Sequence, residues 1–172
     1  MNRLDTNFYH QDAVTIAQKL LGKTLVRVFD DVRVNRYRIT ATEAYLGEDD
    51  KACHASKGRT PRTSVMFGDG GHVYVYLIYG MYWMLNIVTG EEHHPQAVLI
   101  CGLDDVKGSG RVGKLLAMNK SFYGEDLTVS SRIWLEEAPE CVDFKAQPRV
   151  GVDYAGEWKD KLWRFEEVKT NV

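Results

Sequence analysis

The sequence predicts a single mixed α+β domain built on a mostly antiparallel sheet, with flanking helices and one protruding β-hairpin. Three observations carry that expectation. The chain has 172 residues with no repeat, low-complexity tract or linker, a length that suits one domain burying about two-thirds of its unfolded surface. Several short β-branched and aromatic runs are separated by loops of hairpin length, which favours antiparallel neighbours. Helical periodicity is confined to short segments.

The elements follow in order. Ala13, Ile16, Ala17, Leu20 and Leu21 fall at i, i+3, i+4, i+7 and i+8 and form one apolar helix face. Asp12 suits the N-cap and Gly22 the position just past the end. Strands are expected at 23–28 and 33–45. Thr60-Pro61 has the pattern of an N-cap followed by proline at the first helical position, opening a short helix. Twenty-one residues without formal charge lie between Asp69 and Glu91, enough to consider a membrane span. Four glycines, His72, Asn86 and four tyrosines argue against one. Val73 to Ile78 and Tyr82 to Val88 instead predict two strands of a hairpin with Tyr79 and Gly80 near its tip. A strand at 97–101, a helix containing Val112, Leu115 and Leu116, and strands at 132–136 and 148–152 complete the set.

Composition narrows the function classes. Three cysteines, at 53, 101 and 141, include no CxxC pair, so a secreted disulfide framework is not expected. The opening MNRLDTNFYHQDAV has no apolar signal core. A reducing, cytoplasmic setting is the expectation. The net charge of −2 gives no whole-chain support to a nucleic-acid partner. Residues 51–124, however, hold eight basic and five acidic side chains and four of the five histidines, so the centre can host an anion.

Candidate chemistry begins with Ile39-Thr40-Ala41-Thr42-Glu43-Ala44-Tyr45. In a regular strand Ile39, Ala41, Glu43 and Tyr45 share a face. A carboxylate among apolar neighbours is costly to bury unless paired, and such a group suits a general base. On this segment alone, a sheet-edge glutamate in a salt bridge is the simpler account. Tyr79 is harder to explain by packing, because turns lie on the surface; a rigid aromatic there can stack on or wedge between bases. Tyr74 and Tyr82 are adequately explained as sheet-packing side chains. His54 leads into Lys57-Gly58-Arg59-Thr60-Pro61-Arg62, a basic loop able to hold phosphates, although a lone histidine is more often structural. His93-His94 with Cys101 lacks metal spacing. Glu48-Asp49-Asp50 and Glu136-Glu137 are expected to be solvated charge. Walker, GxGxxG, HExxH and GxSxG patterns are absent.

Together these segments resemble the alkyladenine (3-methyladenine) DNA glycosylases. The resemblance rests on ATEAYLGEDDKACHASKGRTPRTSVMF (41–67) and HVYVYLIYGMYWMLNI (72–87). It extends through Phe8 to Leu25, KLLAMNKSF (114–122), RVGVDYAGEW (149–158) and LWRF, in the same order over most of the chain.

The resemblance implies a curved antiparallel sheet and base-excision repair, the hydrolysis of the N-glycosidic bond of alkylated or deaminated purines after base flipping. Glu43 matches the general base that activates water. Tyr45, His54 and Tyr76 match the residues that hold the flipped base, Tyr79 the side chain that fills the vacated stack, and Asn86 the residue that crowds the amino group of guanine. Lys57, Arg59 and Arg62 are the expected phosphate contacts. No Schiff-base lysine matches, so a monofunctional enzyme is implied, with no metal or organic cofactor. The expected partner is duplex DNA carrying a damaged purine, met by a monomer with no membrane involved. Two departures stand out: Cys101 replaces an arginine common among relatives, which removes an expected DNA-proximal cation, and the Leu103 to Gly113 segment is short. Both suit a compact prokaryotic-type member working at the nucleoid. A non-catalytic binder of damaged duplex DNA is the alternative, but it has no use for Glu43. A free-nucleoside hydrolase would leave Tyr79 idle.

Overall fold

A computed structural model of the protein describes residues 2–139 and 142–169. Cys141 lies outside the described residues; Cys53 and Cys101 are free and buried.

Local chemistry sets the first helices. Asp5 caps α1 (Thr6–Tyr9) and Asp12 caps α2 (Ala13–Leu20), the Asp12 carboxylate accepting the Thr15 N–H at 3.0 Å. Ala13, Ile16, Ala17 and Leu20 are all buried, as their spacing predicts. Gly22 follows at φ +84°, the left-handed residue that ends such helices.

The strands are β1 (Thr24–Val28), β2 (Val34–Leu46), β3 (Val73–Ile78), β4 (Tyr82–Thr89), β5 (Gln96–Leu103), β6 (Val106–Lys107), β7 (Ile133–Glu136), β8 (Phe144–Gln147) and β9 (Arg164–Glu167). They form one curved antiparallel sheet whose main path runs β3-β4-β5-β2-β1-β7. The long strand β2 is its hub. β5 pairs along one edge of β2, while β1 and then β9 share the other. α2 packs on one face of this hub, where Ile16, Leu20, Ile39, Ala44, Val98 and Ile100 enter the main core. The opposite face is left to a cleft.

The hairpin forms where expected, paired from Val73–Ile87 to Ile78–Tyr82. No described helix is long and apolar enough to cross a membrane. β5 pairs only with Asn86–Thr89 of β4, so the Tyr82–Leu85 half projects beyond the sheet. Helix α3 (Ser109–Leu115), the expected second helix, supports that projecting half. Gly113 permits the approach, because a Cβ there would stand 1.9 Å from the Trp83 carbonyl oxygen. At the tip Tyr79 (φ 52°) and Gly80 (φ 65°) both take left-handed backbone, and the Met81 N–H closes the turn on the Ile78 carbonyl at 3.1 Å.

Two expected elements are absent. Residues 148–152 form no strand; strands β8 and β9 lie on either side of them. The Val150 N–H donates to Glu43 rather than to a ladder, and the Arg149 side chain pairs with Asp50. Thr60-Pro61 opens a turn instead of a helix. The Thr60 N–H donates to the Thr63 hydroxyl at 2.9 Å, and a short 3-10 turn begins only at Ser64.

Candidate active site

The cleft is set by a break in β2. Its register against β5 shifts between Ile39 and Thr42, and the shift reverses the alternation of side chains. Ile39 therefore enters the core beside Ala44, contrary to the regular-strand expectation, while Ala41 packs with Leu99 and Cys101. Thr42 is on the core side, its hydroxyl donating to the Ala17 carbonyl of α2 at 2.7 Å. Glu43 and Tyr45 are left on the cleft side.

Glu43 is almost wholly buried, at 2% exposure, yet well supplied with donors. Its Oε1 accepts the Tyr45 hydroxyl at 2.9 Å. Its Oε2 accepts the Val150 N–H at 2.8 Å and Arg164 Nη1 at 3.2 Å. Arg164 faces Glu43 directly across the β2–β9 ladder. A carboxylate offers about four lone-pair directions; three are occupied, which leaves one.

The cleft beside Glu43 has a volume of about 500 Å³, and Tyr45, His54, Tyr76, Tyr79, Cys101 and Arg164 also line it. Tyr45, His54, Tyr76 and Asn86 also converge on a smaller cavity of about 20 Å³, space for about one water. Asn86 is fixed there, donating to the Tyr74 and Met84 carbonyls at 3.3 and 3.4 Å. His54 shares a hydrogen bond of 2.8 Å with the Tyr74 hydroxyl through Nδ1, and its ring lies 4.5 Å from that of Tyr76. Burial, reinforced by Arg62 and Lys57, lowers the His54 pKa to about 4, so the ring is neutral at neutral pH. Burial, then the Glu43 charge, holds the Tyr45 phenol far above its ordinary value, and burial does the same for Tyr76. The site is thus a neutral aromatic slot with one paired carboxylate in its wall.

Tyr79 is 87% exposed at the cleft rim. Lys57 and Arg62 line a neighbouring cavity of about 370 Å³ that shares His54 and Tyr154 with the cleft. Arg59 does not join them; its guanidinium lies 5.9 Å from the Phe67 ring.

Several determinants escaped the sequence reading. Asp50 is fully buried rather than solvated, held by Arg149 in a two-pronged ion pair at 2.6 and 3.0 Å. Arg149 also donates to the Ala44 carbonyl and lies 4.8 Å from the Tyr45 ring, so the pair fixes both the end of β2 and the Val150 N–H. Glu136 is likewise buried, bonded to Trp134 and Arg36. Cys101 is buried in the cleft wall, and burial, then the Glu43 charge, pushes its thiol pKa well up. Arg149 and Arg164 both lie in strings that carry the resemblance, but nothing local assigns them partners.

Comparison with known proteins identifies the family. The family model described as methylpurine-DNA glycosylase matches residues 7–107 and 103–171. A protein of Legionella pneumophila (strain Lens) is 44% identical over 174 residues, covering 96% of this chain and 94% of its own. A protein of Methanocella arvoryzae is 42% identical over 182 residues, covering 94% and 90%. One from Natranaerobius thermophilus is 40% identical over 187 residues, covering 95% and 94%. All three carry the name "Putative 3-methyladenine DNA glycosylase".

Proposed function

Since this chain belongs to the methylpurine-DNA glycosylase family, we propose that it is a monofunctional enzyme that hydrolyses the N-glycosidic bond of damaged purines flipped from duplex DNA. Its substrates are alkylated or deaminated purines of the 3-methyladenine, 7-methylguanine, hypoxanthine and ethenoadenine class. The observation that carries this reading is a buried, triply bonded carboxylate in the wall of an aromatic cleft whose rim bears a hairpin-tip tyrosine.

A base inside a duplex is out of reach of any side chain, so it must leave the stack at a cost of a few kcal/mol. Tyr79 fills the gap and offsets that cost. The extruded purine lies between Tyr45, His54 and Tyr76, and cationic methylated bases gain roughly 0.5–2 kcal/mol from the aromatic faces. Neutral His54, its Nδ1 engaged by the Tyr74 hydroxyl, turns its remaining ring nitrogen, Nε2, to the base edge. Asn86 crowds the 2-amino group of guanine, the feature that separates it from hypoxanthine. Lys57, Arg59 and Arg62 hold phosphates. Glu43 uses its remaining lone pair to orient a water and takes its proton as the water attacks the sugar carbon. A methylated purine that is already cationic departs as a neutral base, so one carboxylate suffices for it; the neutral hypoxanthine and ethenoadenine must also gain a proton from solvent as they leave. The protein works as a monomer.

The test is incubation with duplexes that each carry one defined lesion, followed by alkali. Strand scission should appear only after alkali, as an enzyme without lyase activity requires. Glu43→Gln should keep lesion binding and lose about 10²- to 10⁴-fold in single-turnover rate. Near-normal excision by that variant would remove Glu43 from the mechanism, while binding without excision by the wild type would favour a non-catalytic damage binder.

A further inference from the structure

Beside the hairpin tip stand two cations that the chemistry above does not use. Helix α3 buries Val112, Gly113 and Leu116 and leaves Arg111 and Lys114 exposed, three residues apart and so on one face. Neither has a carboxylate partner among the described residues. The acids just ahead of α3 are engaged elsewhere: Asp104 accepts the Arg38 N–H at 2.9 Å, and Asp105 pairs with Lys169.

The placement of Lys114 is specific. Its Nζ lies 4.7 Å from the centroid of the Tyr82 ring, and Tyr82 is the β4 residue paired with Ile78 at the tip. The other strand of the hairpin shows the same arrangement, with the Arg62 guanidinium 5.2 Å from the Tyr76 ring. Each strand of the hairpin therefore holds a cation against one of its tyrosines, and Tyr79 projects from the tip they share. Gly108 and Ser109, which lead into α3, line the same cleft as Glu43 and Tyr79. Arg111 and Lys114 thus begin about one helical turn from the cleft rim.

We propose that Arg111 and Lys114 form a second phosphate clamp, gripping the DNA backbone on the β4 side of the hairpin while the Lys57–Arg62 loop grips it on the β3 side. The proposal rests on the glycosylase reading and extends it to the path of the duplex. A side chain entering the stack separates neighbouring base pairs, so phosphates on both sides of the gap need holding; a one-sided grip leaves the duplex free to pivot about the tip. A lysine already resting on an aromatic ring has less freedom to lose when it meets a phosphate. The ligand is the phosphodiester backbone, without regard to sequence or lesion.

The test uses Glu43→Gln protein, so that the duplex stays intact, and follows binding of a hypoxanthine duplex against salt. Each lost phosphate contact flattens the log–log slope by about 0.9, so Arg111→Ala/Lys114→Ala should flatten it by about one to two units. Lys114→Arg should restore part of the slope. Lys19→Ala, which removes a charge from α2 on the opposite face of the sheet, should leave it unchanged. Ethylating single phosphates should weaken the parent protein at two groups of positions and the double variant at only one. An unchanged slope in a variant with the parent's unfolding midpoint overturns the clamp, as does an equal change in Lys19→Ala. Wild-type protein that releases no purine from any lesion duplex defeats the glycosylase reading instead, so the two failures are distinguishable.

Discussion

At the scale of single residues, the cleft depends on partners far away in the chain. Glu43 draws its donors from Val150 and Arg164, 107 and 121 residues on, and Asp50 draws Arg149 from 99 residues on. This separates what was legible from what was not. Glu43, Tyr45, His54, Tyr76, Asn86 and Tyr79 stand in two contiguous strings, and the fold gathers all six around the cleft or its inner cavity. The groups that support them come from two further strings whose roles depend on long-range pairing, and no local pattern announces them. Arg164 is the sharpest case. If it holds the Glu43 carboxylate in place, Arg164→Gln removes a charged hydrogen bond of about 1.5–3 kcal/mol, or about 10- to 100-fold in single-turnover rate. Lesion affinity should change little, and Arg164→Lys should recover part of the loss. A fall in binding that matches the fall in rate would mark Arg164 as a DNA contact rather than a positioning residue.

At the scale of elements, errors of sequence reading fall where backbone groups leave their own ladder. Arg149-Val150-Gly151-Val152 has the composition of a strand, but its donors serve the cleft, and Gly151 takes φ +74°. Ile39 is displaced from the face of Glu43 because the β2–β5 register slips, an event that alternation alone does not reveal. The hairpin, by contrast, was readable because Tyr-Gly punctuates two β-branched and aromatic runs. Its direction was not, since that depends on α3. Gly113 is the point of closest contact, and an added methyl would meet the Trp83 carbonyl with no flexible side chain to yield. Gly113→Ala should therefore cost about 1–3 kcal/mol, lowering the unfolding midpoint by several degrees at about 2–4 °C per kcal/mol. Because the tip must shift with its support, excision should fall further than stability at temperatures where the variant is fully folded. Wild-type midpoint and rate together would show that α3 does not aim the hairpin.

At the scale of the whole molecule, a chain of net charge −2 sets Lys57, Arg62, Arg111 and Lys114 near one cleft. The acidic surplus of residues 125–172 is largely tied up in ion pairs away from it, among them Glu125–Arg132, Glu136–Arg36, Glu137–Lys23 and Glu167–Arg38. Cations crowding a half-buried histidine have a consequence for stability as well as for binding. His54 titrates near 4 in the folded protein because burial, then Arg62 and Lys57, oppose its protonation, whereas the unfolded chain takes that proton near pH 6.5. Between those values the unfolded state binds more protons, so stability falls as pH drops, by up to about 1.4 kcal/mol per unit. The contribution is complete above about pH 6.5 and lost towards pH 4; with the ring partly open to solvent, on the order of 2 kcal/mol is expected in all. The carboxylates held below their usual range, Glu125 by Arg132 and Glu166 by Gln147, keep their contribution until the pH falls through the ordinary carboxylate range, so between pH 6.5 and 5 the difference between wild type and His54→Gln reports His54. Denaturant unfolding across that interval should show the wild type losing stability steadily and His54→Gln nearly level. Parallel curves for the two proteins would mean that His54 is solvated enough to protonate in place, and that the base slot carries a positive charge at mildly acidic pH.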